Sequence, residues 1–342
     1  MAQAGSAGWE GDLSVKPVGA KRRQAQVLTV GGVRIRRGSA VRVDIPVSGL
    51  PVGPEVTLPC MVLRGSNDGP RIWLSAAIHG DELNGIEIIS RVLERLKPRQ
   101  LTGTLLAVPT VNVFGLLHED RYLPDRRDLN RSFPGGTGGS LARRLAGTLL
   151  SEVVNGCSFG IDLHTGSGGR DNLGQIRCDL DDPEARRLGE AFGAPVLMHA
   201  RTRDGSLRAA AADRGVGVLV YEGGQALRFD EAPIRQGVAG VMRVLAELGM
   251  WAEEAARGVP SLLCRRSTWE RAPRAGFARI TVELGERVKQ GQRLGCVAGP
   301  FGGRSSALKA RNAGVVLGIA RNPVVYQGDA IVHVGQVRDG LP

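Results

Sequence analysis

His79 and Glu82 stand three residues apart in the run Ser75-Ala-Ala-Ile-His-Gly-Asp-Glu-Leu-Asn-Gly85, where an apolar stretch gives way to a glycine-flanked turn. That spacing offers one metal ion two ligands. A second isolated histidine, His164, lies in Phe159-Gly-Ile-Asp-Leu-His-Thr-Gly166, again where a short apolar run meets small residues. Catalytic zinc sites use three protein ligands and leave a fourth position to water, so this two-histidine, one-carboxylate set suits hydrolysis, whereas a structural site is more often closed with cysteines. A lone histidine after a strand is usually a hydrogen-bonded structural residue. Here Gly80 and Gly85 are expected to leave the backbone free to turn Glu82 toward the metal. The chain has only five histidines. The other three, His118, His199 and His333, are read as ordinary polar residues.

Two further motifs can do chemistry. Asp125-Arg-Arg-Asp-Leu-Asn-Arg-Ser-Phe-Pro-Gly135 reads most simply as a salt-bridged surface loop. Arginine also grips a carboxylate through two parallel hydrogen bonds, so Asn130 and Arg131 are candidates for holding an anionic substrate. In Val218-Leu-Val-Tyr-Glu-Gly-Gly224 a glutamate, Glu222, ends an apolar strand. Either it faces water, or burial beside a metal tunes it as a proton shuttle.

These residues need a frame. β-rich stretches fill 41–74, with Gly and Pro turns between them. From 85 to 250, helical patterns such as Ile86–Leu96 alternate with short apolar strands such as Thr104–Thr110 and Val218–Tyr221, which predicts an α/β fold: a sheet flanked by helices. Open α/β sheets bind ligands beyond the carboxyl ends of their strands, and all three metal ligands are expected just after strands. Beyond Ala255 short alternating stretches with frequent glycine predict a compact all-β module joined near Gly258-Val-Pro260. The expected division is a tail over 1–40, partly disordered, a catalytic domain over 41–255, and a β-rich module over 256–342.

Composition sets the outer limits. Hydrophobic residues are 42% of the 342, no apolar run approaches the ~18 to 20 residues of a membrane helix, and no signal-peptide core is visible, so a cytoplasmic protein is expected with no membrane partner. Five scattered cysteines, never in a CxxC pair, suggest neither disulfides nor a cysteine zinc knot. The net charge of +11 divides into +5 over 1–40, −3 over 41–255 and +9 over 256–342. With 4% aromatics to stack on bases, this basic excess is expected to face water rather than nucleic acid.

His79-x-x-Glu82, Asp128-Leu-Asn-Arg131, His164 and Glu222, in this order, resemble the succinylglutamate desuccinylase and aspartoacylase family, a branch of the zinc carboxypeptidase-like fold with a mixed sheet flanked by helices. The resemblance spans roughly 41–250. It implies one Zn2+ per chain on His79, Glu82 and His164, Glu222 as general base and acid, and Asn130 and Arg131 on the substrate carboxylate. It also implies that Asp128 bonds the outer nitrogen of the first zinc histidine. For the arginine that polarises the scissile carbonyl, Arg121 is preferred over Arg126 and Arg127. The C-terminal segment resembles the barrel-sandwich modules of lipoyl and biotinyl carriers, but its expected tip, Gly299–Ser306, has no lysine, and Lys309 falls too late. A structural or gating role is expected instead. The implied activity is hydrolysis of the acyl amide of a small N-acyl amino acid. The alternatives are a metallocarboxypeptidase and a non-catalytic polyanion-binding protein, and the oligomeric state, homo-oligomer included, is left open.

Overall fold

The computed structural model describes residues 27–49, 53, 55–252, 258, 260–301 and 303–337. A hairpin of β1 (Leu28–Val30) and β2 (Val33–Ile35) comes first, anchored by buried Val30 and Ile35. It leads into antiparallel β3 (Ser39–Gly49) and β4 (Glu55–Arg64). In β4 Val56, Leu58, Cys60 and Val62 are buried in alternation, the period of a strand with one packed face. Regular structure therefore begins inside the segment expected as a tail over 1–40. Residues 1–26 lie outside the described residues.

Strands and helices then alternate as expected: β5 (Asn67–Ala76), α1 (Asn84–Arg95), β6 (Thr102–Val108), α2 (Val113–Leu117), α3 (Leu141–Thr148), β7 (Phe159–Gly166), β8 (Arg170–Cys178), α4 (Pro183–Phe192), β9 (Val196–His199), α5 (Leu207–Ala212), β10 (Gly217–Gln225) and α6 (Glu231–Glu247). Local signals explain the boundaries. Asp182 caps α4 by accepting from the backbone N–H groups of Glu184 and Ala185, Pro183 starts the helix, and Gly193 ends it in the left-handed region. Parallel β6, β5, β7 and β10 form the centre of the sheet. All eight residues of β7 are buried, as expected of a strand covered on both faces. Helices α1, α4 and α6 pack on one face through Ile88, Val92, Leu188 and Val241. Helices α3 and α5 cover the other with Leu145, Leu207 and Ala211.

The C-terminal strands are β11 (Leu262–Arg271), β12 (Gly276–Ile280), β13 (Arg287–Val288), β14 (Arg293–Ala298), β15 (Ser305–Lys309), β16 (Gly314–Ala320), β17 (Val324–Val325) and β18 (Ala330–Val337). The β-rich texture expected over 256–342 is present in the described residues, divided between two sheets. β12, β14, β15 and β17 make a four-stranded sheet of their own, but β11, β13, β16 and β18 extend the central sheet to twelve strands, ordered β13-β16-β18-β11-β9-β8-β10-β7-β5-β6-β4-β3. β11 lies parallel to β9, and β16 pairs with both β18 and β8. The strands β8, β9, β11, β18 and β16 thus close a ring around Val196, Met198, Cys264, Val315 and Leu317. Closure satisfies backbone groups that the edges of β8 and β9 would otherwise leave open. The boundary expected at 255–256 falls outside the described residues. No helix among the described residues is long and apolar enough to cross a membrane.

Candidate metal centre and its pocket

His79 follows β5 by way of Ala77, whose φ of +48° is the left-handed conformation that costs a non-glycine residue about 1 kcal/mol. The backbone N–H of Asn112 donates to the Ala77 carbonyl at 2.8 Å and holds this bend. Gly80 lies in the turn that brings Glu82 round, closed by the Glu82 N–H donating to the His79 carbonyl at 3.2 Å, and neither Gly80 nor Gly85 has a positive φ. Both permit close approach. A Cβ on Gly80 would stand 1.9 Å from the Gly115 carbonyl carbon in α2, and one on Gly85 would meet the Cβ atoms of Ala76 and Leu163 at 2.6 and 2.8 Å. Helix α1 therefore starts directly against β5 and β7. Buried Asn84 ties that start to the end of β10, donating to the Gly223 carbonyl at 3.0 Å.

Glu82 reaches both imidazoles. Its Oε1 lies 2.8 Å from His79 Nδ1 and its Oε2 lies 2.7 Å from His164 Nδ1. Donor atoms of the three side chains fall within 4.8 Å of one another, and all three are buried. His164 is not beyond its strand as expected but inside β7, two residues from its end. Each histidine turns its other nitrogen toward a second carboxylate. His164 Nε2 is 2.8 Å from Asp162 Oδ2, and Ser75 Oγ donates to Asp162 Oδ1 at 2.5 Å. His79 Nε2 is 3.4 Å from Asp128 Oδ1, an ion-pair distance without hydrogen-bond alignment.

The electrostatics suit a cation. Burial alone would lower the proton affinity of His164, yet the carboxylates of Asp162 and Glu82 outweigh it and raise it well above the ordinary histidine value. His79 is raised in the same way, against burial, by Glu82 and Asp128. Burial opposes the charged form of Glu82, but the two histidines hold it well below the usual carboxylate range. Three carboxylates, Glu82, Asp128 and Asp162, face a single guanidinium, Arg121, whose paired donors go to Asp128 and Ser167. The carboxylates that favour protons on the two imidazoles would equally favour a bound cation in their place. Two nitrogens and a carboxylate, each histidine backed by a carboxylate, are the donor set and outer support that zinc takes in a catalytic site.

The remaining expected residues gather around the same cavity of about 970 Å3. Glu222 sits in β10 in register with His164. Asn172 Nδ2 donates to its Oε2 at 2.8 Å, and Arg177 pairs with its Oε1 at 3.0 Å. Arg121, Asn130 and Arg131 line the wall, whereas Arg126 and Arg127 do not. Asn130 Oδ1 accepts from the Leu207 backbone N–H at 2.9 Å, which turns its amide nitrogen into the donor left for a ligand.

Residues 68–248 match the succinylglutamate desuccinylase/aspartoacylase catalytic domain. The chain belongs to the succinylglutamate desuccinylase/aspartoacylase family. It is 27% identical over 320 residues to the N-alpha-acetyl-L-2,4-diaminobutyric acid deacetylase of Halomonas elongata, covering 84% of this chain and 87% of that one. A succinylglutamate desuccinylase/aspartoacylase from Rhodobacter sphaeroides superposes with a TM-score of 0.79 at 26% identity, over 87% and 96% of the two chains. The fold is shared further with the ectoine utilization protein EutE (DoeB) from Ruegeria pomeroyi, with a TM-score of 0.80 at 21% identity over 88% and 97%.

Several further residues line the pocket. Asp162 was readable, as an acid two positions before a histidine on one strand shares its face. Asn172, Arg177, Trp269 and His333 carried no such signal, because strand pairing alone brings them to the cavity. His333 is thus not the ordinary polar residue expected. His199, also set aside, meets Asp179 and Asp181 with donor atoms within 4.8 Å. Those donors are already engaged, Asp181 by Arg265 and His199 Nδ1 by the Leu180 N–H, and the two carboxylates are exposed.

Proposed function

We propose that the protein is a cytoplasmic zinc-dependent amidohydrolase that removes the acyl group from a small N-acyl amino acid. The observation that carries this reading is the buried convergence of His79, Glu82 and His164 beside Glu222 in one cavity. His79, Glu82 and His164 would hold the ion, which when bound supplies Lewis acidity and lowers the pKa of its water toward about 7. Glu222 takes a proton on its carboxylate from the attacking water and returns it to the departing nitrogen. Asn172 and Arg177 keep that carboxylate aimed. Arg121 stabilises the charge that develops on the carbonyl oxygen, a role supported by its place on the cavity wall. Asn130, through its amide nitrogen, and Arg131 bind the substrate carboxylate. Asp128 and Asp162 orient the two imidazoles.

The C-terminal strands are read as a barrel-sandwich-like module without carrier function. Its core of Leu294, Val297, Leu308 and Val332 supports this reading. Elemental analysis of the purified protein, combined with amine release from a panel of N-acyl amino acids and short peptides, tests the function. Zinc near one per chain with release from the acyl amino acids is expected. Release from peptide C-termini alone would favour a carboxypeptidase, and an empty site with no turnover would refute both.

A further inference from the structure

The wall of the cavity opposite in sequence to the metal motif is built by strands that the metal does not need. β11 contributes Ser267 and Trp269, β18 contributes His333, and the first residue of β8 is Arg170. Trp269 and His333 are cross-strand partners whose rings stack 4.6 Å apart with planes 6° from parallel. The guanidinium of Arg170 sits 5.2 Å from the centre of the Trp269 ring. β16 pairs with β8 at Arg170, Asp171 and Asn172, and Arg321 clamps Asp171 at 2.7 Å, so the C-terminal chain fixes the base of this side chain. Only Ser167, Gly168 and Gly169 separate Arg170 from β7, the strand of His164.

Arg170 has no carboxylate partner among the described residues. An arginine resting on an aromatic face keeps its charge and its forked donors while losing the freedom that binding would otherwise have to restrict. Arg131 and Arg203 line the same cavity, also without a carboxylate among the described residues. His333 is buried, its Nδ1 has no hydrogen-bond partner, and burial together with Arg177 and Arg170 pushes its pKa down to about 3. The imidazole is therefore neutral and adds no charge of its own beside the guanidinium. The volume, about 970 Å3, is at the upper end of small-molecule sites and exceeds what a short acetyl amino acid fills.

We propose that Arg170, seated on the Trp269–His333 stack, forms a second subsite that binds an oxyanion, carboxylate or phosphate, at the end of the substrate farthest from the scissile amide. The proposal rests on the deacylase reading and deepens it. The C-terminal strands thereby select substrates by the charge of the distal group, and Arg170 is a specificity-determining residue.

Matched pairs test it in the zinc-loaded enzyme: N-succinyl- against N-butanoyl-L-alanine, N-acetyl-L-glutamate against N-acetyl-L-glutamine, and N-acetyl-O-phospho-L-serine against N-acetyl-L-serine. The charged member of at least one pair is expected to be preferred, and the pair that shows it separates acyl from amine side and carboxylate from phosphate. Arg170 is exposed, and Arg170→Met keeps a long flexible stem to lie against Trp269 while removing the charge. Its kcat/KM on that charged substrate is expected to fall roughly 10- to 100-fold, the loss that follows removal of a charge-assisted hydrogen bond, with the neutral partner within about twofold. No charge preference, or equal losses on both members, overturns the subsite. Turnover of no pair by the wild type speaks against the deacylase reading instead. In that event calorimetric titration of succinate, glutamate and phosphoserine into wild type and Arg170→Met still decides the subsite: weaker binding to the variant supports it, and equal binding overturns it.

Discussion

Glu222 and His164 occupy matching positions on the adjacent parallel strands β10 and β7, so their side chains leave the sheet on the same side. Glu222 is clamped there by Asn172 and Arg177. This relationship separates the proton-handling group from the groups that would hold the ion. Glu222→Gln keeps shape and hydrogen bonding but cannot accept the proton. Turnover should fall about 10²- to 10⁴-fold while zinc content stays at the wild-type level. Normal turnover with zinc retained would move the proton to another group.

Asp162 contacts His164 Nε2, through which it would support a metal at one remove, and is itself held by Ser75. Asp162→Asn is expected to weaken zinc binding by roughly 10- to 100-fold. Competition with a chromogenic chelator measures this, and an unchanged affinity would show that His164 needs no such support.

Arg121 is fastened by Ser167 and Asp128 on one side and opens to the cavity on the other. Removing it in Arg121→Ala should lower kcat by about 10²- to 10³-fold with the metal retained. Undiminished kcat would transfer the role to Arg126 or Arg127, neither of which lines the cavity.

Gly80 is a packing position, with the backbone of Gly115 filling the space a side chain would need. Gly80→Ala must displace α2 or the metal loop, at a cost of about 1 to 3 kcal/mol or more. Urea unfolding read against zinc content checks both consequences. A variant as stable as wild type and fully loaded would mean that the contact yields easily.

His333 makes stability depend on pH. In the unfolded chain its imidazole takes a proton near pH 6.5, whereas in the folded protein burial and the neighbouring arginines delay protonation to about pH 3. Its contribution is thus complete above pH 6.5 and is lost as pH falls through that window, at about 1.4 kcal/mol per unit. Denaturant midpoints across the acid range should show a shallower fall in His333→Phe than in wild type. Identical slopes would assign the acid loss to other groups.

Residue type and order alone picked out the candidate site. Two histidines and a glutamate with metal spacing, the Asn-Arg pair and the glutamate in an apolar strand all reach one cavity. The histidines and glutamates were legible because they sit where an apolar run meets small or polar residues, and the Asn-Arg pair because it stands in a charged loop, both local properties of the chain. The alternating helix and strand texture of 85–250 was legible for the same reason. Tertiary structure decided what local pattern cannot encode. Periodicity shows that a segment is a strand but not which edge it joins, so sequence could not reveal that β11 and β16 add to β9 and β8 and carry Trp269 and His333 to the pocket. Nor could it tell that Gly80 and Gly85 admit a neighbour at close range. Those distinctions depend on what lies opposite each residue in space, and only the closed fold supplies the opposite side.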